Sequence, residues 1–191
     1  MPAWAESYAD SPIPGWQAVI FEGLTQYSQR DDCVLADARS SASGLIREPL
    51  KPLSQAPVLR WAWRAEAPLR QGNAAPEKMK AGDDFVARVY VIHKGFFPWQ
   101  TRAINYVWSR EYPVGASWPN PFTSNAMMVV VQSGTEGLGQ WQEFTRDVRK
   151  DFRDYFGMDI ERVDAVAVMT DTDNSQGNAQ ACYRLPSLSA P

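Results

Sequence analysis

"PVLRWAWRAEA", residues 57–67, alternates in character with a period of two. Leu59, Trp61, Trp63 and Ala65 fall on one face of an extended strand, and Arg60, Ala62, Arg64 and Glu66 fall on the other. An apolar face of that kind needs a second layer to bury it. Working outward in both directions, similar short runs recur between turn signals. Upstream lie "WQAVIFEG" (16–23), "TQYSQ" (25–29), "CVLADARS" (33–40) and "SASGLIRE" (41–48). Downstream lie "DDFVARVYVIH" (83–93), "RAINYVWS" (102–109), "AMMVVVQSG" (126–134), "WQEFTRD" (141–147), "RVDAVAVMTD" (162–171) and "QACYRLPSL" (180–188). Short strands at such spacing predict an all-β antiparallel sandwich of about ten strands rather than βαβ units. The run 83–93 is apolar on both faces apart from Arg88, which predicts a central strand.

Three segments break the pattern. Residues 48–57 hold three prolines and read as a loop, and residues 68–83 read as a long polar connection. Residues 110–125 form a second proline-rich loop. One helix is predicted over 147–157, where Val148, Phe152, Tyr155 and Phe156 make a single apolar stripe. Thr145 or Asp147 caps its start and Gly157 its end. Such a helix belongs at an end or edge of the sandwich.

The chain of 191 residues predicts a flexible segment over 1–14 and a single domain over 15–191. A net charge of −3 excludes the electrostatic footprint of a nucleic-acid binder. No apolar run approaches the roughly 18 residues of a membrane-spanning helix. Cys33 and Cys182 are either a disulfide between early and late strands or two buried thiols. No cysteine–histidine spacing suits zinc. "AWA" (3–5) fits a small-x-small cleavage site, so the expectation is a chain whose signal segment has been removed.

His93 is the only histidine, so any serine or cysteine triad would need it. No GxSxG elbow accompanies it, and it reads as a strand-end residue. Asp171, Asp173 and Asn174 form an acidic turn after a strand. They are candidate Ca2+ ligands, candidate ligand contacts, or a turn bonding its own backbone. The glycine and glutamate of an EF-hand loop are missing. Asp171 and Asp173 also have a spacing permissive for paired glycosidase carboxylates, as does any i, i+2 pair in a strand.

Arg88 is more selective. It shares a pleat face with Asp84 and Tyr90, and Asn105 can join from a neighbouring strand. An arginine there must meet a carboxylate, either Asp84 or one from the acidic turn, or else face a groove. Trp99, Trp108 and Trp118 lie in an aromatic-rich region, 96–122, and are candidate stacking platforms beside Arg88 and Asn105.

The order of "FEGLTQYS", "SASGLIRE", "LRWAWR", "KAGDDFVARVYV", "AINYVWS", "RDVRKDFRDYFG" and "VAVMTDTDNSQGNAQACY" resembles the bacterial domain-of-unknown-function 3047 family over nearly the whole chain. The resemblance implies an exported protein of the bacterial envelope, periplasmic or extracellular, and implies no reaction. The layout is also similar to the galactose-binding-like jelly rolls of many carbohydrate-binding modules. The combined expectation is a non-catalytic domain binding a glycan or another small polar ligand. The alternatives are a polysaccharide-acting enzyme with paired carboxylates and an interaction subunit using the aromatic loop.

Overall fold

A computed structural model of the protein describes residues 7–49, 52–66 and 75–190. Among them the chain forms thirteen strands and one α-helix. The strands are β1 (Ser7–Asp10), β2 (Gln17–Glu22), β3 (Gln26–Gln29), β4 (Val34–Arg39), β5 (Ala42–Arg47), β6 (Val58–Ala65) and β7 (Arg88–His93). They continue with β8 (Arg102–Ser109), β9 (Ser117–Asn120), β10 (Thr123–Ser133) and β11 (Gln142–Asp147). After the helix α1 (Val148–Phe156) come β12 (Ala165–Asp171) and β13 (Asn178–Ser189).

Two sheets face each other. The larger has eight strands in the order β1-β2-β5-β12-β7-β8-β10-β9, and the smaller has five in the order β11-β6-β13-β4-β3. β7 is therefore central, as its doubly apolar pattern predicted. All pairings are antiparallel except β8 with β10, which run parallel. β9 reverses the chain between them and pairs with the outer side of β10. Neither β1 nor β9 was expected. Both are four-residue edge strands, and Pro119 sits in β9, where an edge tolerates it. Within the segment 1–14 expected to be flexible, Ser7–Asp10 pairs with β2 and Ile13 is buried; residues 1–6 lie outside the described residues. So do residues 50–51 and 67–74, which fall in or beside the two predicted connections.

The core between the sheets is built as the alternation of β6 demands. Leu59, Trp61, Trp63 and Ala65 are all buried, and Arg60 is exposed. Trp61 stacks on Tyr106 of the opposite sheet with centroids 5.1 Å apart. Trp63 satisfies its indole N–H by donating to Gln132 at 2.7 Å. Rings of this size each contribute roughly 4–6 kcal/mol of gross transfer free energy. Asp147 caps α1 by accepting from the Lys150 N–H at 2.9 Å, and Gly157 ends it in the left-handed conformation. The helix follows the edge strand β11 and buries Val148 and Phe152 in the same core. Cys33 and Cys182 are joined in a disulfide between the start of β4 and the middle of β13. Among the described residues, no helix is long and apolar enough to cross a membrane.

Candidate functional site

The pleat of the large sheet decides what faces out. Val89, Val91, Ile104, Tyr106, Val166 and Val168 point into the core. Their alternate neighbours Arg88 and Tyr90 on β7, Asn105 on β8, and Met169 and Asp171 on β12 therefore point away from the small sheet. These outward side chains border a hollow of about 240 Å³. Glu22 of β2, Asn120 of β9, Phe122, and Asp173 and Asn174 of the turn after β12 complete its rim. Alanines at positions 42, 103 and 126 keep its floor low.

Arg88 is the centre of the site and is 3% exposed. Its Nε donates to Asp171 Oδ1 at 2.8 Å, and Nη2 donates to the other Asp171 oxygen. Nη1 donates to Asp83 Oδ2 at 3.3 Å, and Nη2 to the Asp83 carbonyl. The Phe85 ring lies 4.5 Å from the guanidinium carbon. Burial would lower the Arg88 pKa, but Asp171 and Asp83 hold it well above its ordinary value. The guanidinium is thus a charged, internally neutralised strut. Of its two carboxylate partners, the acidic turn residue was anticipated and Asp83 was not. Asp84 turns elsewhere: it accepts from the Asn174 backbone and side-chain N–H groups, both at 3.1 Å, and from the Ser175 N–H at 2.6 Å. Asp84 therefore pins the acidic turn to the entry of β7.

Three acceptor oxygens around the hollow are buried without a hydrogen-bond partner among the described residues: Asp83 Oδ1, Asn105 Oδ1 and Asp173 Oδ1. Asn105 is 2% exposed, and its amide nitrogen rests against the Met128 sulfur at 3.2 Å. Burial, and next the charge of Asp84, push the Asp173 carboxyl up to about 6. Asp84, Asp171 and Asp173 bring carboxylate oxygens within 4.8 Å of one another, which is close enough for a cation. Both Asp171 oxygens, however, are held by Arg88, with the Phe85 N–H also donating to Oδ1. Asn174 directs its amide nitrogen, a donor, at Asp84 and Asp173.

The tryptophans do not join Arg88 and Asn105. Trp108 is 3% exposed and points into the core, its indole N–H donating to the Gly134 carbonyl at 2.9 Å. The reason is parity: it lies three residues from Asn105 on the same strand, hence on the opposite face. Trp118 is on the outer side but buried against Tyr112, Val107 and Met128. Trp99 is exposed in the loop between β7 and β8, stacked on Phe97 at 4.6 Å, and does not border the hollow. His93 sits at the end of β7 with its Nδ1 3.0 Å from the Arg162 carbonyl, also away from the hollow. Glu22 and Asn120 were missed. Each reaches the site through its strand's pairing, Glu22 of β2 beside β5 and Asn120 of β9 beside β10, which local patterns do not carry.

A family model described as "Protein of unknown function (DUF3047)" matches residues 14–185. Comparison with curated protein sequences finds no match. Solved structures share the fold. The xyloglucanase domain of NopAA, a type three effector from Sinorhizobium fredii solved with cellobiose, is 12% identical with a TM-score of 0.54, covering 100% of both chains. The endo-1,4-β-glucanase CelB2 is 12% identical with a TM-score of 0.53, covering 98% of each. Endoglucanase 3 of Trichoderma harzianum, from family GH12, is 7% identical with a TM-score of 0.50, covering 98% of this chain and 96% of that one. At these identities the likeness is one of fold, and the fold is the β-jelly-roll sandwich.

Proposed function

Because the chain belongs to the DUF3047 family of unknown function, and membership names no reaction, we propose its role from the site: the hollow recognises a saccharide without cleaving it. The observation that carries this is the set of unpartnered acceptors on Asp83, Asn105 and Asp173 around one hollow. A buried acceptor left unsatisfied costs about 1–3 kcal/mol. All three oxygens are closed to solvent in the unliganded chain, so small side-chain shifts must open them to the hydroxyl donors of a sugar, which supply what they lack. Phe21 and Phe122 add apolar rings to the rim, and the alanine floor leaves room for a sugar ring. Sugar-acting proteins that share the fold, one of them solved with cellobiose, support the same class of ligand.

The case against cleavage is the state of the carboxylates. Asp83 and Asp171 neutralise Arg88, and Asp84 holds the turn, so none is free to attack or to exchange a proton. The same bonds weigh against Ca2+ at Asp171, Asp173 and Asn174, since Arg88 already supplies the positive charge there. One observation favours the opposing reading. Asp173, with its pKa pushed up to about 6, borders the hollow together with Glu22. Glu22 is level with Asp171 across Ala42 of β5. Asp173 as a general acid, with Glu22 as the second carboxylate, would be a pair of the kind glycoside hydrolysis uses. The disulfide supports an oxidising compartment, hence a periplasmic or extracellular location.

The test combines binding and turnover. Under this reading, a panel of plant and bacterial glycans contains ligands that raise the melting temperature with increasing occupancy. Long incubation with those ligands releases no reducing ends. Release that Asp173→Asn and Glu22→Gln abolish would establish the hydrolytic alternative instead.

A further inference from the structure

A second hollow, of about 220 Å³, lies on the same outer face and is bordered by Tyr8, Gln17, Ile46, Lys94 and Ala165. The two are not separate. A shallow depression between them shares Phe21, Tyr90 and Met169 with the first hollow and Ile46 with the second. All three run along β12, from Asp171 at one end through Ala167 to Ala165 at the other. Six residue steps of a strand cover about 20 Å. That exceeds what a single sugar ring or a compact small molecule fills.

We propose that these hollows are one trough, and that its ligand is a linear oligosaccharide lying lengthwise along β12. This rests on the saccharide reading of the first hollow. The chemistry changes along the trough in a way that suits such a chain. The Asp171 end is polar, lined by Asn105, Asp173 and Asn174, and fixes hydroxyls. The saddle is apolar, made of Val19, Ile46, Ile92 and Ala167, and suits the carbon faces of successive rings. An extended peptide fits less well. Peptides added to sheets bond through their backbone to a free strand edge, whereas every strand under the saddle is paired on both sides.

The experiment is calorimetry with length ladders, monomer to hexamer, of β-1,4-linked glucose, xylose and N-acetylglucosamine oligomers. It uses the wild type and two saddle variants, Ala167→Phe and the milder Ala167→Leu, each checked for an unchanged melting temperature. The expected result is an affinity gain of roughly tenfold or more between dimer and the longer oligomers of one ladder. The saddle variants should erase that gain and leave dimer binding intact. Equal affinity for dimer and hexamer, or a gain untouched by both variants, would overturn the trough and leave the first hollow as a small-ligand site. No binding on any ladder would overturn the saccharide reading, and the trough with it. Binding of an extended polyalanine-rich peptide that Ala167→Phe removes would assign the trough to peptides instead.

Discussion

Arg88 and Asp171 form a two-point ion pair in the wall of the outer hollow, Nε to Oδ1 at 2.8 Å, with side chains 3% and 2% exposed. Breaking one side of such a pair leaves an uncompensated buried charge. Arg88→Ala is therefore expected to lower unfolding stability by about 3–5 kcal/mol, read from a denaturant midpoint. Asp171→Asn should cost less, because Asp83 still faces the guanidinium. Equal losses would show that Asp83 contributes nothing to holding Arg88.

Asp173 makes stability depend on pH. Its folded pKa, about 6, lies above the ordinary 3.8. The folded state holds this proton more tightly than the unfolded chain does. The resulting stabilisation is complete below about pH 4 and disappears as pH rises through about 6. Asp173→Asn should thus match the wild type near pH 3.5 and exceed it at pH 7.5, by on the order of 1–2 kcal/mol after allowance for water at this half-buried site. A constant difference across that range would contradict the assignment.

The tryptophans separate by face. Trp108→Ala removes a buried ring and its bond to Gly134, and should cost about 3–5 kcal/mol. Trp99→Ala should stay within about 0.5 kcal/mol of the wild type, as exposed positions do. Thermal melts of the two variants decide the point, and a large loss from Trp99→Ala would mean that the 96–99 loop is part of the core.

Chelation supplies a further check. With Arg88 occupying both oxygens of Asp171, the melting temperature in EGTA and in millimolar calcium should coincide. A rise of several degrees with calcium would restore Asp171, Asp173 and Asn174 as a metal site.

Much of this architecture is legible in the residues. The pleat of 59–65 announced a two-layer core, and the stripe from Val148 to Phe156 located the helix with its caps. Asn105 and Arg88 were brought together because both follow the parity of their own strands. The same parity, applied to Trp108, would have sent it to the core. What the sequence did not carry lies in loop geometry and in long-range pairing. Nothing local tells Asp83 from Asp84, yet a one-residue difference gives Arg88 a partner and gives the acidic turn its anchor. The parallel β8–β10 pair escaped notice for a related reason, since the reversal that makes it possible is a four-residue edge strand containing a proline.

Ligand is expected to enter beside Asn105, Arg88 and Asp173. The most direct measurement is a 15N NMR titration of the intact protein with the oligosaccharide giving the largest thermal shift. The expected result is shifts concentrated in the amides of β7, β8 and the 171–175 turn, and their loss in Asn105→Leu. Shifts centred instead on residues 96–99, or a titration unaffected by Asn105→Leu, would contradict it.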